Sequence, residues 1–130
     1  MNLSQIKQIK NPQITIPGLY DLNLYDFQKI GVIAIHSTPR MILGDSVGLG
    51  KSIQSIGAIQ LLHNQSILSS KDVLIVCPNA TKNQWADFIK QYTSLSVIVG
   101  DSSDKECTYL KRRFNILVTG FSTIRIRLDF

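Results

Sequence analysis

The chain alternates between two hydrophobic rhythms. In one, apolar residues recur three and four positions apart. Phe27, Ile30 and Ile33-Ala34 do this over 24–36, as do Ile53, Ile56, Ile59 and Leu61-Leu62 over 52–63 and Trp85, Phe88 and Ile89 over 81–92. That spacing stripes one face of an α-helix, so the pattern predicts three helices. In the other rhythm, apolar residues run without interruption. Met41-Ile42-Leu43, Val73-Leu74-Ile75-Val76-Cys77 and Ile116-Leu117-Val118 are such runs, Leu95 to Val99 is broken only by Ser96, and each is too short for a helix of ordinary length. They read as strands of a parallel sheet covered on both faces. Breakers separate the elements: Ser37-Thr38-Pro39, Pro78 and Gly100. A further helix is predicted over 104–113, and another begins at Phe121. Asn23 is the expected N-cap of the first long helix. Strands alternating with helices give an α/β fold with a mainly parallel sheet and right-handed crossovers. Residues 1–18, with Pro12 and Pro17-Gly18, read as a loose lead-in containing a short extended hook at 13–16, and 19–130 as the folded part.

The junction between the run at 40–43 and the helix at 52–63 carries the chemistry. It reads Gly44-Asp45-Ser46-Val47-Gly48-Leu49-Gly50-Lys51-Ser52. A strand, a glycine-rich turn and a helix form a phosphate-binding loop, in which backbone N–H groups curl around anionic oxygens and the helix N-terminus faces them. Lys51 would reach the β- and γ-phosphates of ATP, and the Ser52 hydroxyl would bind Mg²⁺. The strict form of the motif has glycine at the position held by Asp45. A surface turn leading into a helix is the plainer alternative.

Composition narrows the class. The chain has 130 residues, 44% hydrophobic and 18% charged, enough for a packed core and too few charges for wholesale disorder. No apolar run is long enough to span a bilayer, and the polar start lacks a signal-peptide core. Cys77 and Cys107 make neither a disulfide framework nor a metal set, which suits a reducing, intracellular setting. Cys77 closes an apolar strand and reads as a buried thiol. Fourteen Lys and Arg against nine Asp and Glu give +5, a mild bias toward polyanions such as nucleic acid. His36 and His63 are isolated, and no nucleophile–base constellation can be assembled.

Several blocks in order resemble the first RecA-like lobe of the Swi/Snf-type ATPases, helicase-like DNA translocases of superfamily two. The family's loop, Asp-Glu-x-Gly-Leu-Gly-Lys-Thr, is matched by Asp45-Ser46-Val47-Gly48-Leu49-Gly50-Lys51-Ser52, which accounts for Asp45; Ser46 departs from the family's Glu. Leu24-Tyr25-Asp26-Phe27-Gln28-Lys29-Ile30-Gly31-Val32 resembles the family's opening segment, in which a glutamine reads the adenine edge through its amide. Gln28 holds that place; its bland reading is a solvated polar position on an amphipathic helix. Val73 to Pro78 with Gln84-Trp85 and Phe88 resembles the next block, where the turn after the strand faces the DNA backbone. The resemblance implies phosphate contacts from Asn79, Thr81 and Lys82, beside the alternative that Asn79 or Thr81 caps a helix. Trp85 reads as packing. Asn115 to Ile124 resembles a later block, which implies that Thr119 touches the tracked strand.

The resemblance therefore implies a RecA-like P-loop lobe that binds ATP and Mg²⁺, contacts double-stranded DNA and works against a second RecA-like lobe. Hydrolysis also needs an acidic metal-holding motif and an arginine at the γ-phosphate. In the family the acidic motif is Asp-Glu-Ala-His on a later strand, and the residues up to Phe130 do not contain it. The expectation is a truncated lobe that does not hydrolyse ATP alone. Two other functions are weighed: a non-catalytic interaction or inhibitory module built on such a lobe, and a small phosphotransferase with Asp101 as metal ligand. Lys111, Arg112 and Arg113 read as a solvated basic face.

Overall fold

A computed structural model describes the chain except residues 1, 21, 39, 45–49, 70–71, 102, 105, 107 and 127–130, and without the side chains of 3, 125 and 126. The described residues form two compact units, Met1–Ile67 and Leu68–Phe130.

The first unit is helical. Helix α1 (Leu3–Lys7) is fixed by a capping box: the Asn2 side chain accepts from Gln5 N at 2.9 Å, and the Gln5 side chain accepts from Asn2 N at 2.8 Å. Its Ile6 is buried and it packs on α2 (Asp26–Ser37). The stretch read as a loose lead-in is thus tied down. Ile16 joins Val32 and Ala58 in the core, and Asn64 Nδ2 donates to Pro17 O at 2.6 Å. Asparagine and glutamine side chains supply these ties, and a scan for apolar periodicity does not count them.

Helix α3 (Lys51–Asn64) lies against α2. The predicted stripe on α3 is rotated: Ile56 is buried as expected, but Gln54, Gly57, Ala58 and Gln60 are buried with it, while Ile53, Ile59, Leu61 and Leu62 are only partly covered. Two glycines explain the rotation. A Cβ on Gly31 would collide with the Gln54 side-chain amide, and one on Gly57 would lie 3.0 Å from Val32 Cγ2. Each helix presses a side chain onto a bare backbone position of the other, so the closest approach follows the glycines rather than the isoleucines.

The second unit holds the sheet. Strands β1 (Val73–Cys77), β2 (Val97–Val99) and β3 (Ile116–Gly120) are parallel in the order β1-β3-β2. Val73 pairs with Ile116 and Cys77 with Gly120 across β1 and β3, and Val97 pairs with Ile116 across β2 and β3. A 3-10 turn, Asn79–Thr81, leads from β1 into α4 (Lys82–Tyr92), which packs on β2 and β3 and buries Ala86 and Ile89. Helix α5 (Phe121–Ile126) follows β3 directly. Tyr109, Phe114 and Leu117 form a second cluster. The helix expected over 104–113 is only a 3-10 turn, Thr108–Lys111. Its start is set by Asp104, whose carboxylate accepts from Thr108 N at 2.9 Å. The fold class read from the pattern is the one observed: an α/β lobe with a parallel sheet and flanking helices.

Two strand expectations are corrected. Residues 40–44 carry no strand, and Ile42 is 93% exposed. A strand needs a neighbouring backbone for its N–H and C=O groups, and among the described residues 40–44 belong to no sheet. Strand β1 is covered less completely than a two-sided parallel strand: Leu74 and Val76 are exposed while Cys77 is buried.

Candidate functional site

In the first unit the site is the turn into α3. Gly50 is the N-cap, with φ 74° and ψ 45°, a left-handed conformation that glycine adopts without strain. Its carbonyl accepts from Gln54 N at 3.1 Å, so the helix begins at once with Lys51 and Ser52 as its first residues. The first N–H groups of α3 have no carbonyl of an earlier turn to bind, and the helix dipole adds partial positive charge there. Lys51 is partly exposed and Ser52 exposed, so ammonium and hydroxyl are both within reach of a ligand. The loop residues Asp45, Ser46, Val47, Gly48 and Leu49 lie outside the described residues.

Gln28 sits beside this turn. It is buried in the first turn of α2, where it accepts from Tyr25 N at 3.0 Å through Oε1. Tyr25, not Asn23, is the N-cap, and the glutamine three residues on returns to its backbone N–H in the manner of a capping box. The amide nitrogen of Gln28 lies over Gly50, since a Cβ on Gly50 would collide with Gln28 Nε2. The structure therefore brings Gln28, Gly50, Lys51 and Ser52 together. It also gives Gln28 a neighbour that sequence spacing did not reveal, the Gly50 backbone. Tyr25 and Phe27, both exposed, stack with ring centroids 5.9 Å apart at the same end of α2.

In the second unit the residues singled out for DNA gather at the carboxyl ends of β1 and β3, where ligands of parallel sheets bind. The Asn79 side chain packs against Gly120, which leaves no room for a Cβ there. Thr81 Oγ1 donates to Pro78 O at 2.9 Å, which closes the 3-10 turn. Lys82 Nζ lies 4.0 Å from Asp101 Oδ1. Thr119 is fully buried, and its Oγ1 has no hydrogen-bond partner among the described residues. It lines an apolar pocket of about 250 Å³ beside Phe114, Leu117 and Ile124. Asn79, Thr81 and Lys82 are thus placed on one rim, while Thr119 is behind it. Cys77 Sγ lies 3.6 Å from Thr119 O, the buried structural thiol expected from its position.

The Asp101 carboxylate also accepts from Ser103 N at 3.1 Å. Among the described residues no three His, Cys, Asp or Glu side chains converge on a point that could hold a metal. Hydrogen bonds set the two perturbed carboxyls elsewhere. The Ser69 backbone N–H holds Asp72 below its ordinary value, and the Thr108 hydroxyl does so for Asp104. Both are surface loop ties. No helix among the described residues is long and apolar enough to cross a membrane.

Comparisons with known proteins bear on family and fold. Residues 27–130 match the family described as the SNF2-related domain. Switch 2 of Arabidopsis thaliana is 32% identical over 142 aligned positions, covering 96% of this chain and 16% of the relative. The DNA repair and recombination protein RAD26 of Saccharomyces cerevisiae is 40% identical over 82 positions, covering 59% of this chain and 7% of the relative. The Sulfolobus solfataricus SWI2/SNF2 ATPase core in complex with dsDNA superposes with a TM-score of 0.69 at 20% identity, covering 86% of this chain and 24% of that one. The chain thus spans a small part of the length of these relatives. The family match over most of the chain, the fold likeness and the helix-opening Gly50-Lys51-Ser52 turn agree, and the chain belongs to the Swi/Snf family of helicase-like ATPases.

Proposed function

We propose that these residues form the ATP-binding part of a DNA-stimulated translocase lobe. The carrying observation is the left-handed Gly50 at the start of α3, with Lys51 and Ser52 presented at the helix end and Gln28 against the same turn. In this reading Lys51 meets the β- and γ-phosphates, Ser52 supplies a hydroxyl to Mg²⁺, and residues 45–49 complete the anion cradle. Gln28 has its Oε1 engaged by the α2 backbone. Its amide nitrogen lies against Gly50, and in this reading the Gln28 amide meets the adenine edge.

Double-stranded DNA is the proposed second ligand. The neighbour of known fold is titled as a complex with dsDNA, and relatives are titled as DNA repair proteins. Asn79, Thr81 and Lys82 offer amide, hydroxyl and ammonium groups suited to phosphate oxygens. Thr119, enclosed behind them, would act by shaping the rim. Such proteins work inside cells, and a second RecA-like lobe would supply the arginine that hydrolysis requires. The 130 residues alone are proposed to bind nucleotide and DNA weakly and to turn ATP over at a negligible rate. The test is ATPase turnover with and without duplex DNA; a robust DNA-stimulated rate from this chain alone would refute the proposal.

A second reading is favoured by one observation. Leu74 and Val76 on β1 and Phe121 on α5 are large apolar side chains left exposed. A surface of this kind suits an interaction module that docks on a partner protein. A strictly monomeric chain at all concentrations in light scattering would count against self-association through it.

A further inference from the structure

The strands of the second unit run parallel, so their carboxyl ends share one side of the sheet. Two segments leave from that side with opposite charges. One follows β1 and opens α4 with Lys82; the other follows β2 and Gly100 with Asp101. Lys82 Nζ and Asp101 Oδ1 are 4.0 Å apart, the lysine side chain 12% exposed and the carboxylate 56% exposed. The same Oδ1 accepts from Ser103 N at 3.1 Å, which fixes the carboxylate in front of the ammonium.

An ion pair this long, with one partner largely in water, adds little to stability. Its larger consequence falls on binding. The lysine side chain is mostly enclosed by protein, and a more exposed carboxylate stands beside its ammonium. An incoming anion must displace that carboxylate or sit beside it against like-charge repulsion.

We infer that Asp101 is an internal stand-in for a nucleic-acid phosphate: it occupies Lys82 and sets a threshold that a phosphodiester must overcome to engage this rim. This rests on the reading of Lys82 as a DNA-backbone contact. A single tethered carboxylate competes well with an isolated small anion, which has only Lys82 to hold it, and poorly with a polyanion. The device therefore disfavours small anions and admits a ligand whose other phosphates are held by the rest of the rim. Asp101→Asn removes the competitor and keeps the side-chain size and its Ser103 contact. Lys82 then gains a full counterion-release contribution when DNA binds.

The experiment is equilibrium binding of a labelled DNA duplex to the 130-residue chain across a salt series, with thermal melting of each variant to confirm folding. The charge-matched control is Asp87→Asn, an exposed carboxylate on α4. Asp101→Asn is expected to tighten binding by about three- to tenfold at low salt and to steepen the salt slope by about one. Asp87→Asn changes affinity by less than about twofold, the share of net charge alone. Lys82→Ala weakens binding more in the Asp101→Asn background than in the unchanged chain. If Asp101→Asn matches Asp87→Asn while Lys82→Ala still weakens binding, the stand-in inference fails and the DNA reading survives. If Lys82→Ala changes nothing in either background, the DNA reading of Lys82 fails and takes the inference with it.

Discussion

The two compact units are held together by different means. In Leu68–Phe130, branched aliphatic side chains of a parallel sheet are covered by α4, and Ile89, Ile116 and Val118 are fully buried. In Met1–Ile67, helices meet at bare glycine backbone, and the enclosed groups include the amides of Gln28, Gln54 and Gln60. Gln60 Nε2 donates to Asn64 Oδ1 at 2.9 Å, and Asn64 donates onward to Pro17 O. The sheet unit is specified by volume and apolar area. The helical unit is specified by where amides find partners, and it carries the proposed nucleotide turn. Buried amides fix a unique geometry at the cost of their own desolvation, which suits a region that must present a loop in one orientation.

The largest expected effect separates the units. Ile89→Ala should destabilise by about 2–5 kcal/mol through lost burial and the cavity left behind. Hydrogen exchange should quicken in 68–130 well before 1–67. Equal acceleration in both units would show one cooperative body and remove the comparison. Next, Gly31→Ala should cost about 1–3 kcal/mol, because its Cβ enters the space of the Gln54 amide. Adding Gln54→Ala removes the collision, so denaturant unfolding of the double variant should show less loss than the two single losses summed. Additive losses would mean that the glycine contact does not set the α2–α3 approach.

A smaller effect has the opposite sign. Thr119 is enclosed and its hydroxyl has no partner among the described residues, so Thr119→Val should stabilise by about 1 kcal/mol in chemical denaturation. A loss of stability would show that the hydroxyl is satisfied. The least effect concerns pH. Asp72, held low by Ser69, has a folded-state value below the unfolded 3.8. A depressed carboxyl contributes stability that is present above the unfolded value and lost as pH falls through the folded one. Asp72→Asn should therefore lower Tm slightly at neutral pH and converge with the unchanged chain at acid pH, which flattens the acid end of the Tm–pH curve. An unaltered acid limb would remove Asp72 from the account.

Legibility in the sequence followed the same division. The strands and α4 of the sheet unit could be read from continuous apolar runs such as Val73 to Cys77 and from the Trp85, Phe88, Ile89 spacing, although the exposed Leu74 and Val76 show that such a run reports the strand and not its burial. The candidate site was proposed from Gly50-Lys51-Ser52, whose spacing has a direct mechanical meaning, and from Gln28 by resemblance. What was not legible depends on partners distant in sequence. Gln54 looks like a solvent-facing position until Gly31, on another helix, is placed against it. The run Met41-Ile42-Leu43 looks like a strand, but strand formation depends on a neighbour that local pattern cannot supply. Lys82 looked like an open cation because nothing in its own segment announces Asp101, nineteen residues on.

The central claim is that the turn from Gly50 into α3 grasps a nucleoside triphosphate. The most direct measurement is calorimetric titration of Mg–ATP into the chain and into Lys51→Ala, with thermal melting of both. The account predicts measurable binding by the unchanged chain and at least about a tenfold loss in the variant, the scale of one charge-assisted phosphate contact, with no change in Tm. Equal affinity in the two proteins, or no nucleotide binding by a chain shown to be folded, would contradict it.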